Sequence, residues 1–303
     1  MIFVPLFSIF VLMASGFLAK KTGVLEQKNS TIFINFVLCF AIPALIFDKM
    51  YHVNIDTTLI SIIFIGFISS IISAIIGFFI CRFFKFSKAT TVSVIMLSLF
   101  GNTLFVGMPV ARGFFGDDIL NEVIFYDQMA TSIPISIIGP FILSFGGHDK
   151  VSLFKNTMKI LKFPPFVALV AGIIFKNISI PDFLFEPLKL FEASITPVGL
   201  FAIGVGLGFA SIKSSYKSTA VVLFCKMILP VIVFIVISSV IGLDMQDKTW
   251  IVGLMQCSMP PMILAGAMIM KAELDSSLAI SSIATGVALS FITLPIMYYI
   301  FVM

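Results

Sequence analysis

The chain has 303 residues, of which 59% are hydrophobic and only 11% charged, and its mean hydropathy is +1.15. This composition excludes a soluble globular domain and predicts a protein embedded almost entirely in a membrane. The net charge of +4 comes without the interleaved basic and aromatic residues of a nucleic-acid binder, so we expect a lipid bilayer and no nucleic acid as partner.

Ten stretches are apolar and long enough to be read as membrane-spanning helices, which need about 20 mainly apolar residues each. In chain order they are Ile2 to Ala19, Thr31 to Phe47, Thr58 to Ile80, Ala89 to Phe115, Val123 to Phe145, Phe163 to Phe175, Pro187 to Ala210, Thr219 to Leu243, Trp250 to Met270 and Ser276 to Val302. The first lacks a basic n-region and an A-x-A cleavage site, so we interpret it as a retained helix. In the sixth, Pro164-Pro165 must lie in the first turn or before it. The predicted fold class is therefore an all-α polytopic membrane protein.

The lysines and arginines between these segments are distributed unevenly. Alternate loops carry thirteen of them: Lys20, Lys21, Lys28, Arg82, Lys85, Lys88, Lys150, Lys155, Lys159, Lys162, Lys213, Lys217 and Lys271. The other loops carry five, namely Lys49, Arg112, Lys176, Lys189 and Lys248, and Lys226 lies inside the eighth segment. Because cytoplasmic loops are enriched in basic residues, this bias predicts a cell-membrane protein with both termini outside the cytoplasm.

The fourth and ninth segments are each interrupted near the middle. Gly101-Asn102 and Gly107-Met108-Pro109 interrupt the fourth, and Met259-Pro260-Pro261 interrupts the ninth. Unpaired backbone groups are costly in lipid, so a spanning helix is broken only where those groups face protein, water or a solute. Matched breaks in the two halves of a chain are typical of a transporter's midplane binding site.

Other similarities between the halves follow the same order. Gly16 and Gly172 each precede a lysine by four residues, and Pro43 to Phe47 resembles Pro197 to Phe201. Ten helices divide into five and five, and an odd number per half means that the second half enters the membrane from the opposite face. We therefore predict two inverted five-helix repeats with broken, crossing helices 4 and 9. The predicted domains are residues 1–147, a cytoplasmic linker at 148–162, and residues 163–303.

The breaks suggest a site for an organic anion. Where a helix restarts in mid-membrane, its first N–H groups are unpaired and carry about half a positive charge, which suits a carboxylate. Asn102 offers donors and an acceptor to such a solute, and it can also cap the restarted helix. The adjacent glycines permit close backbone approach or ordinary helix packing, and the prolines remove donors or simply kink the helix. The predicted substrate-binding residues are Asn102, Gly101, Thr103, Pro109, Gln256, Pro260, Pro261 and Asn35.

Two ionisable residues are predicted to lie inside helices, where each is costly unless it is paired or functional. Asp127 is the only carboxylate expected to be well buried, and it is a candidate for binding a coupling proton or sodium ion. The alternative for Asp127 is a cap or an ion pair near the outer surface. Lys226 is a candidate for attracting an anionic substrate or neutralising Asp127, and it can also snorkel to the cytoplasmic face.

The sequence carries no motif for a metal, a nucleotide or covalent catalysis. Its histidines, His52 and His148, occupy predicted loops without a metal-ligand pattern, and there is no P-loop. Gly204 to Gly208 resembles a nucleotide loop but lies in an apolar helix, where packing explains it better. The four cysteines are interpreted as small hydrophobic residues. We therefore expect no cofactor beyond a coupling ion and no enzymatic activity; a carrier is favoured, and an anion channel or membrane-embedded sensor is the alternative.

The stretches Gly101 to Pro109 and Pro197 to Gly206, with Leu294-Pro295, resemble the auxin efflux carrier family, and the resemblance extends over essentially the whole chain. The short loop between the halves is similar to that of compact bacterial members rather than the plant exporters of auxin. The resemblance implies transport of a small organic acid such as malate or malonate, and a fold similar to the bile acid and sodium symporters. It also implies an elevator-type mechanism with helices 1, 2, 6 and 7 as scaffold and helices 3–5 and 8–10 as transport core. Whether the protein forms a homodimer is left open.

Overall fold

The computed structural model describes residues 3–52, 57–146, 164–208 and 212–301, so the predicted linker at 148–162 lies outside the described residues. The described residues are helical apart from turns, two short extended breaks and one isolated bridge. In the first half the helices are α1 (Phe3–Lys21), α2 (Ser30–Phe36), α3 (Ile42–His52), α4 (Thr57–Phe83), α5 (Lys88–Leu99), α6 (Met108–Phe115), α7 (Leu120–Tyr126) and α8 (Ile133–Ser144). In the second half they are α9 (Pro164–Phe175), α10 (Glu186–Gly206), α11 (Ile212–Leu223), α12 (Leu229–Val240), α13 (Lys248–Cys257), α14 (Ile263–Lys271) and α15 (Ser276–Phe301).

Several of these helices are joined end to end by π-helical turns. The turn Val37–Ala41 joins α2 to α3, Asp127–Ser132 joins α7 to α8, and Phe224–Ile228 joins α11 to α12. Within the described ranges, five stretches are long and apolar enough to cross a membrane: Gln27–His52, Thr57–Phe83, Asp182–Gly206, Ser214–Val240 and Ser276–Phe301. Shorter apolar helices lie at Lys88–Leu99, Thr103–Phe115 and Pro164–Phe175. The chain is therefore all-helical, as predicted, with several helices suited to a bilayer.

The helices form two compact units. Unit 1 consists of Met1–Asn54, Met108–Phe125 and Met158–Leu207. Unit 2 consists of Ile55–Gly107, Tyr126–Thr157 and Gly208–Met303. The boundary between Gly107 and Met108 falls within the second interruption predicted in the fourth segment, so α6 and α7 up to Phe125 belong to unit 1 while α5 and α8 belong to unit 2.

Two helix pairs of unit 1 approach each other at glycines. Gly16 of α1 faces the main chain of α10, where an added Cβ atom would collide with the carbonyl group of Phe201. Gly172 of α9 faces α3, where an added Cβ atom would lie 3.0 Å from the carbonyl oxygen of Phe47. A side chain at either glycine would force the backbones apart, so small residues set the close spacing of both pairs.

Helices α1 and α10 make a second close contact, at Gly204. Gly204 of α10 lies against the main chain of Met13, where there is no room for a Cβ atom. The glycine-rich stretch that begins there therefore serves helix packing, as the sequence analysis predicted. Past the end of α10, the ammonium group of Lys20 donates a hydrogen bond to the carbonyl oxygen of Leu207.

Two carboxylates of unit 1 are buried, so the expectation that Asp127 is the only well-buried carboxylate is wrong. Asp48 is 6% exposed and Glu192 is 8% exposed. Lys49 Nζ lies 3.0 Å from Asp48 Oδ2 and 3.5 Å from Glu192 Oε2. Arg112 Nη1 adds a contact of 4.0 Å to Glu192 Oε1. Both carboxylates are thus compensated by cations within unit 1, as a buried charge requires.

Unit 2 is built around α4, which packs against α5, α12 and α13. The last turns of α5 contribute Met96, Leu97 and Phe100 to a fully buried apolar core. Gly66 of α4 leaves room for the ring of Tyr126, since an added Cβ atom would lie 2.8 Å from its Cζ atom. This packing holds the end of α5 and the start of the π-turn at Asp127 in the interior of the unit.

Candidate functional site

The two predicted helix breaks are present in unit 2 and are hydrogen-bonded to each other. The first lies between α5 and the π-helical turn Thr103–Gly107, and the second lies between α13 and α14. The N–H of Asn102 donates to the carbonyl oxygen of Pro260 at 2.7 Å, and the N–H of Met262 donates to that of Phe100 at 3.0 Å. These bonds form an antiparallel bridge between Gly101 and Pro261. Some of the backbone N–H and C=O groups that each break leaves without a helical partner are therefore hydrogen-bonded by the other break.

The bridge leaves the N-terminal end of α14 beside the break. Helix α14 begins at Ile263, immediately after the bridge, so its first N–H groups have no partner within the helix. Pro260 and Pro261 are buried in the extended segment, and an added Cβ atom on Gly286 of α15 would lie 2.7 Å from Pro261 Cδ. The prolines thus keep this segment out of the helical conformation while a small residue of α15 makes room for their rings.

Side-chain amides at the breaks are buried without hydrogen-bond partners. The Nδ2 atom of Asn102, a residue 2% exposed, has no partner among the described residues. Both polar atoms of the Gln256 amide are likewise unpaired, and that residue is 1% exposed. An added Cβ atom on Gly107 would lie 3.2 Å from Gln256 Nε2, so the glycine leaves room for this amide. Buried amides are normally satisfied, and unpaired ones at a break are suited to receiving a solute.

Lys226 lies on the π-turn Phe224–Ile228 and is 1% exposed, so it does not snorkel to the surface. Its Nζ donates to the carbonyl oxygen of Cys257, the last residue of α13, at 3.0 Å. An added Cβ atom on Gly101 would lie 2.7 Å from Lys226 Cε, so the side chain passes directly over the first break. Among the residues that the structure describes, no carboxylate forms an ion pair with Lys226. A cation is therefore held at the breaks with its charge uncompensated, which is costly unless an anion joins it.

Asp127 begins the π-turn Asp127–Ser132 and is completely buried. Its carboxylate accepts hydrogen bonds from Thr103 Oγ1, from Gln128 Nε2 at 2.9 Å and from Ser132 Oγ at 2.7 Å. Thr103 connects it to the first break. All three donors are neutral, and no ion pair of Asp127 occurs within the described ranges, so it is neither a surface pair nor neutralised by Lys226. Such a carboxyl group can be charged or protonated without losing all of its partners.

The structure brings most of the predicted site residues together in unit 2, but two lie in unit 1. Gly101, Asn102, Thr103, Gln256, Pro260, Pro261, Asp127 and Lys226 belong to unit 2. Asn35 is an exposed residue of α2, and Pro109 is a buried residue of α6. No described group of three or more histidine, cysteine, aspartate or glutamate residues is arranged to hold a metal ion.

A buried hydroxyl and thiol beside the site escaped the sequence analysis. Tyr126 OH lies 3.4 Å from Cys257 Sγ, and both residues are almost fully buried. The main-chain carbonyl of Cys257 also accepts the Lys226 bond, so this pair lies beside the breaks. Their positions in the sequence could have indicated them, because Tyr126 directly precedes Asp127 and Cys257 directly follows Gln256.

An apolar, all-helical chain whose two broken helices are hydrogen-bonded to each other in its interior has the features of a membrane transporter rather than of a soluble or catalytic protein. Residues 1–298 match the family described as membrane transport protein. The chain belongs to this family, the auxin efflux carrier family, which confirms the resemblance seen in the sequence. It is a multi-pass membrane protein of a transporter family, not of an enzyme family.

Two archaeal relatives are similar to the chain over nearly their whole length. An uncharacterized transporter of Methanothermobacter thermautotrophicus is 25% identical over 292 residues, covering 95% of each chain. An uncharacterized transporter of Methanocaldococcus jannaschii is 26% identical over 287 residues, covering 91% of each chain. These names support membrane transport and leave the substrate to be inferred from the site.

Proposed function

We propose that the protein is a secondary transporter of a small organic anion, a mono- or dicarboxylate similar to auxin, malate or malonate. The observation that carries the proposal is the uncompensated ammonium group of Lys226 beside the unpaired amides of Asn102 and Gln256. An anion would neutralise the lysine, and its oxygens would accept from the amide N–H groups and from the first turn of α14. The lysine, the amide donors and the N-terminal end of α14 all favour a carboxylate.

The charge at the site also limits the class of substrate. Lys226 is the only cation among the candidate residues of unit 2, and the surrounding core is apolar. Each further charge on the solute would cost several kcal/mol to desolvate without a matching partner. A small anion with one buried carboxylate and an apolar or hydroxylated body therefore fits better than a highly charged solute.

The glycine contacts of unit 1 support an arrangement of ten helices in two inverted repeats. Gly16 meets the carbonyl of Phe201, and Gly172, its predicted equivalent, meets the carbonyl of Phe47. Phe47 and Phe201 are themselves equivalent in the aligned motifs of helices 2 and 7. The exchange of partners is that expected of two repeats related by a two-fold axis. The paired bonds of the bridge, each from one break to the other, agree with the same relation.

We further propose an elevator-type mechanism, and the division of the helices into two units supports it. Predicted helices 1, 2, 6 and 7 fall within unit 1, which contains the close glycine contacts expected of a rigid scaffold. Apart from Asn35 and Pro109, the candidate residues fall within unit 2, so one unit carries most of the proposed site. The stretch Met108–Phe125 groups with unit 1, although it includes parts of predicted helices 4 and 5, which the resemblance assigns to the transport core.

We place both termini outside the cytoplasm, in the cell membrane, because thirteen basic residues fall on one set of loops and five on the other. Cysteines introduced at Ser152 and Asp56, in predicted loops outside the described residues, should react with an impermeant reagent from opposite faces. The native exposed cysteine, Cys39, is first replaced by serine, and the other three are buried. Labelling of both positions from the same face would contradict ten inverted helices.

Replacement of Asn102 by alanine tests whether its amide contacts the solute. We expect the variant to bind the substrate about 1–3 kcal/mol more weakly, because an oxygen of the bound anion loses its buried donor. Thermal unfolding of the purified protein against a panel of mono- and dicarboxylates measures this, since a ligand that prefers the folded state stabilises it. Unchanged affinity in a variant that unfolds at the wild-type temperature without ligand would reduce Asn102 to a helix-capping role.

The alternative function is an anion channel or a membrane-embedded sensor, because broken helices also line the pores of channels. Anion flux into liposomes separates these classes. A carrier is expected to saturate with substrate and to show counterflow, whereas a channel conducts without either. Tight binding without any flux would favour the sensor.

A further inference from the structure

A cavity in unit 2 lies at the turn between α4 and α5, apart from the breaks. Its volume is about 540 Å³, which is within the range of about 300–1,000 Å³ typical of small-ligand pockets. Its walls come from α4, α5, α8 and the turn between α4 and α5, and they include Phe78, Phe86, Ile95 and Ile142. Two cations, Arg82 and Lys88, complete the lining. The cavity is thus apolar along its walls and positively charged at one side.

Arg82 and Lys88 lie on either side of the hydrogen-bonded turn between α4 and α5. Helix α4 ends at Phe83, and the N–H of Phe86 bonds the carbonyl of Cys81 at 3.0 Å. Lys85 takes the left-handed conformation that closes such helix ends, with a φ of 55°. The turn is completed by Ser87, whose hydroxyl caps α5 by accepting from the N–H of Thr90 at 3.1 Å.

The side chains of Arg82 and Lys88 are exposed, so both charges are accessible to a ligand. Neither forms an ion pair with any carboxylate in the described part of the chain. Asp275, whose carboxylate accepts from Thr90 Oγ1 at 2.8 Å, uses its other oxygen to accept from the N–H of Leu278 at 2.9 Å. Lys88 is also the first residue of α5, where the helix dipole disfavours a cation. A lysine placed against the helix dipole beside a cavity suggests that this position has a function.

The cavity is also flanked by aromatic rings of the kind found at membrane interfaces. Phe83 is 82% exposed, and Phe145, which lines the cavity, is 54% exposed. Both lie at helix ends on the side that the basic residues predict to be cytoplasmic. Exposed aromatic rings beside lysines and arginines at a helix end are typical of the headgroup level of a bilayer.

We propose that this cavity is a binding site for one anionic phospholipid. Its phosphate would lie between Arg82 and Lys88, and an acyl chain would lie against Phe86, Ile95 and Ile142. Basic pockets between helices on the cytoplasmic side have the chemistry that acidic headgroups require. The apolar walls favour a lipid over a free phosphate ion, and a zwitterionic headgroup would add a quaternary ammonium near the two cations, so an anionic headgroup should bind better.

Thermal unfolding of the delipidated protein in a neutral detergent tests this proposal. Added dioleoyl phosphatidylglycerol is expected to raise the unfolding temperature, whereas dioleoyl phosphatidylcholine and glycerol phosphate at the same concentration are not. The double variant Arg82→Gln/Lys88→Gln should need roughly 30-fold more phosphatidylglycerol for the same stabilisation, since each basic residue contributes about a factor of five. The matched control Lys21→Gln/Lys217→Gln removes two exposed charges from the same predicted face and should respond as the wild type does.

A second variant examines the apolar walls without changing charge. Ile95→Phe fills part of the cavity, so it should also weaken the response to phosphatidylglycerol while leaving unfolding in detergent alone unchanged. Equal stabilisation by phosphatidylcholine, or equal responses of the two double variants, would overturn the proposal. Displacement of phosphatidylglycerol by malonate would assign the cavity to the transport pathway and would also overturn it. None of these measurements uses transport, so the result is independent of the proposed carrier function.

Discussion

Replacement of Lys226 by glutamine is expected to weaken the binding of organic anions by more than an order of magnitude. Lys226 is a buried cation whose only described hydrogen-bond partner is the carbonyl oxygen of Cys257, and glutamine keeps a donor while removing the charge. Truncating one side of a buried, hydrogen-bonded charge pair costs about 2–5 kcal/mol, which corresponds to a loss of at least roughly 30-fold in affinity. Titration of malonate, malate and an auxin against the purified variant measures the loss.

Two comparisons make the Lys226 result interpretable. Lys217→Gln removes an exposed lysine about two helical turns before the π-turn that carries Lys226 and should bind as the wild type does. Lys226→Arg keeps the charge but enlarges the group, so it should bind more tightly than the glutamine variant if charge is what matters. An undiminished affinity in a folded Lys226→Gln protein would remove the main support for an anionic substrate.

Replacement of Asp127 by asparagine is expected to abolish the pH dependence of substrate accumulation while leaving binding intact. The three groups that donate to this carboxylate belong to Thr103, Gln128 and Ser132, and the two hydroxyls can reverse to accept from an amide. Asparagine therefore resembles the protonated carboxyl in shape and charge but cannot release a proton. If Asp127 carries the coupling proton, a pH gradient should drive accumulation by the wild type and not by the variant.

The measurement is uptake into liposomes with an imposed pH gradient, alongside binding at equilibrium. Asp244→Asn, at an exposed acidic residue between α12 and α13, is a control that should retain pH-driven accumulation. Full pH-driven accumulation by Asp127→Asn would exclude the proton role. Loss of a sodium dependence in the variant, with no effect of pH on the wild type, would assign the ion to sodium instead.

The helical stretches were predictable because hydrophobic length is a strong signal in a membrane chain. The breaks were predictable for a related reason: glycine and proline in the middle of an apolar helix leave backbone groups that lipid cannot satisfy. The partner of each break was not predictable in detail. The bond from Asn102 to Pro260 depends on packing between stretches from opposite halves of the chain.

The π-helical turns lay beyond sequence reasoning altogether. Thr103, Asp127 and Lys226 each lie on such a turn, where one extra residue redirects the side chain relative to a regular helix. A helical pattern of regular period cannot show where that extra residue is placed. For the same reason the sequence left open whether Lys226 lies at the site or snorkels to the surface. The burial of Glu192 was not anticipated because its cations, Lys49 and Arg112, come from other helices, and the burial of Asp48 beside Lys49 depends on the same packing.

The bridge between Gly101 and Pro261 has a consequence for how the protein is made. During synthesis, the first half of the chain enters the membrane before the residues that satisfy its break exist. Until the second half follows, the N–H of Asn102 and the carbonyl of Phe100 lack their partners, in a medium where each unsatisfied group costs several kcal/mol. The binding site is therefore assembled late, and a prematurely terminated chain would retain a destabilised, exposed break, which quality-control proteases can recognise.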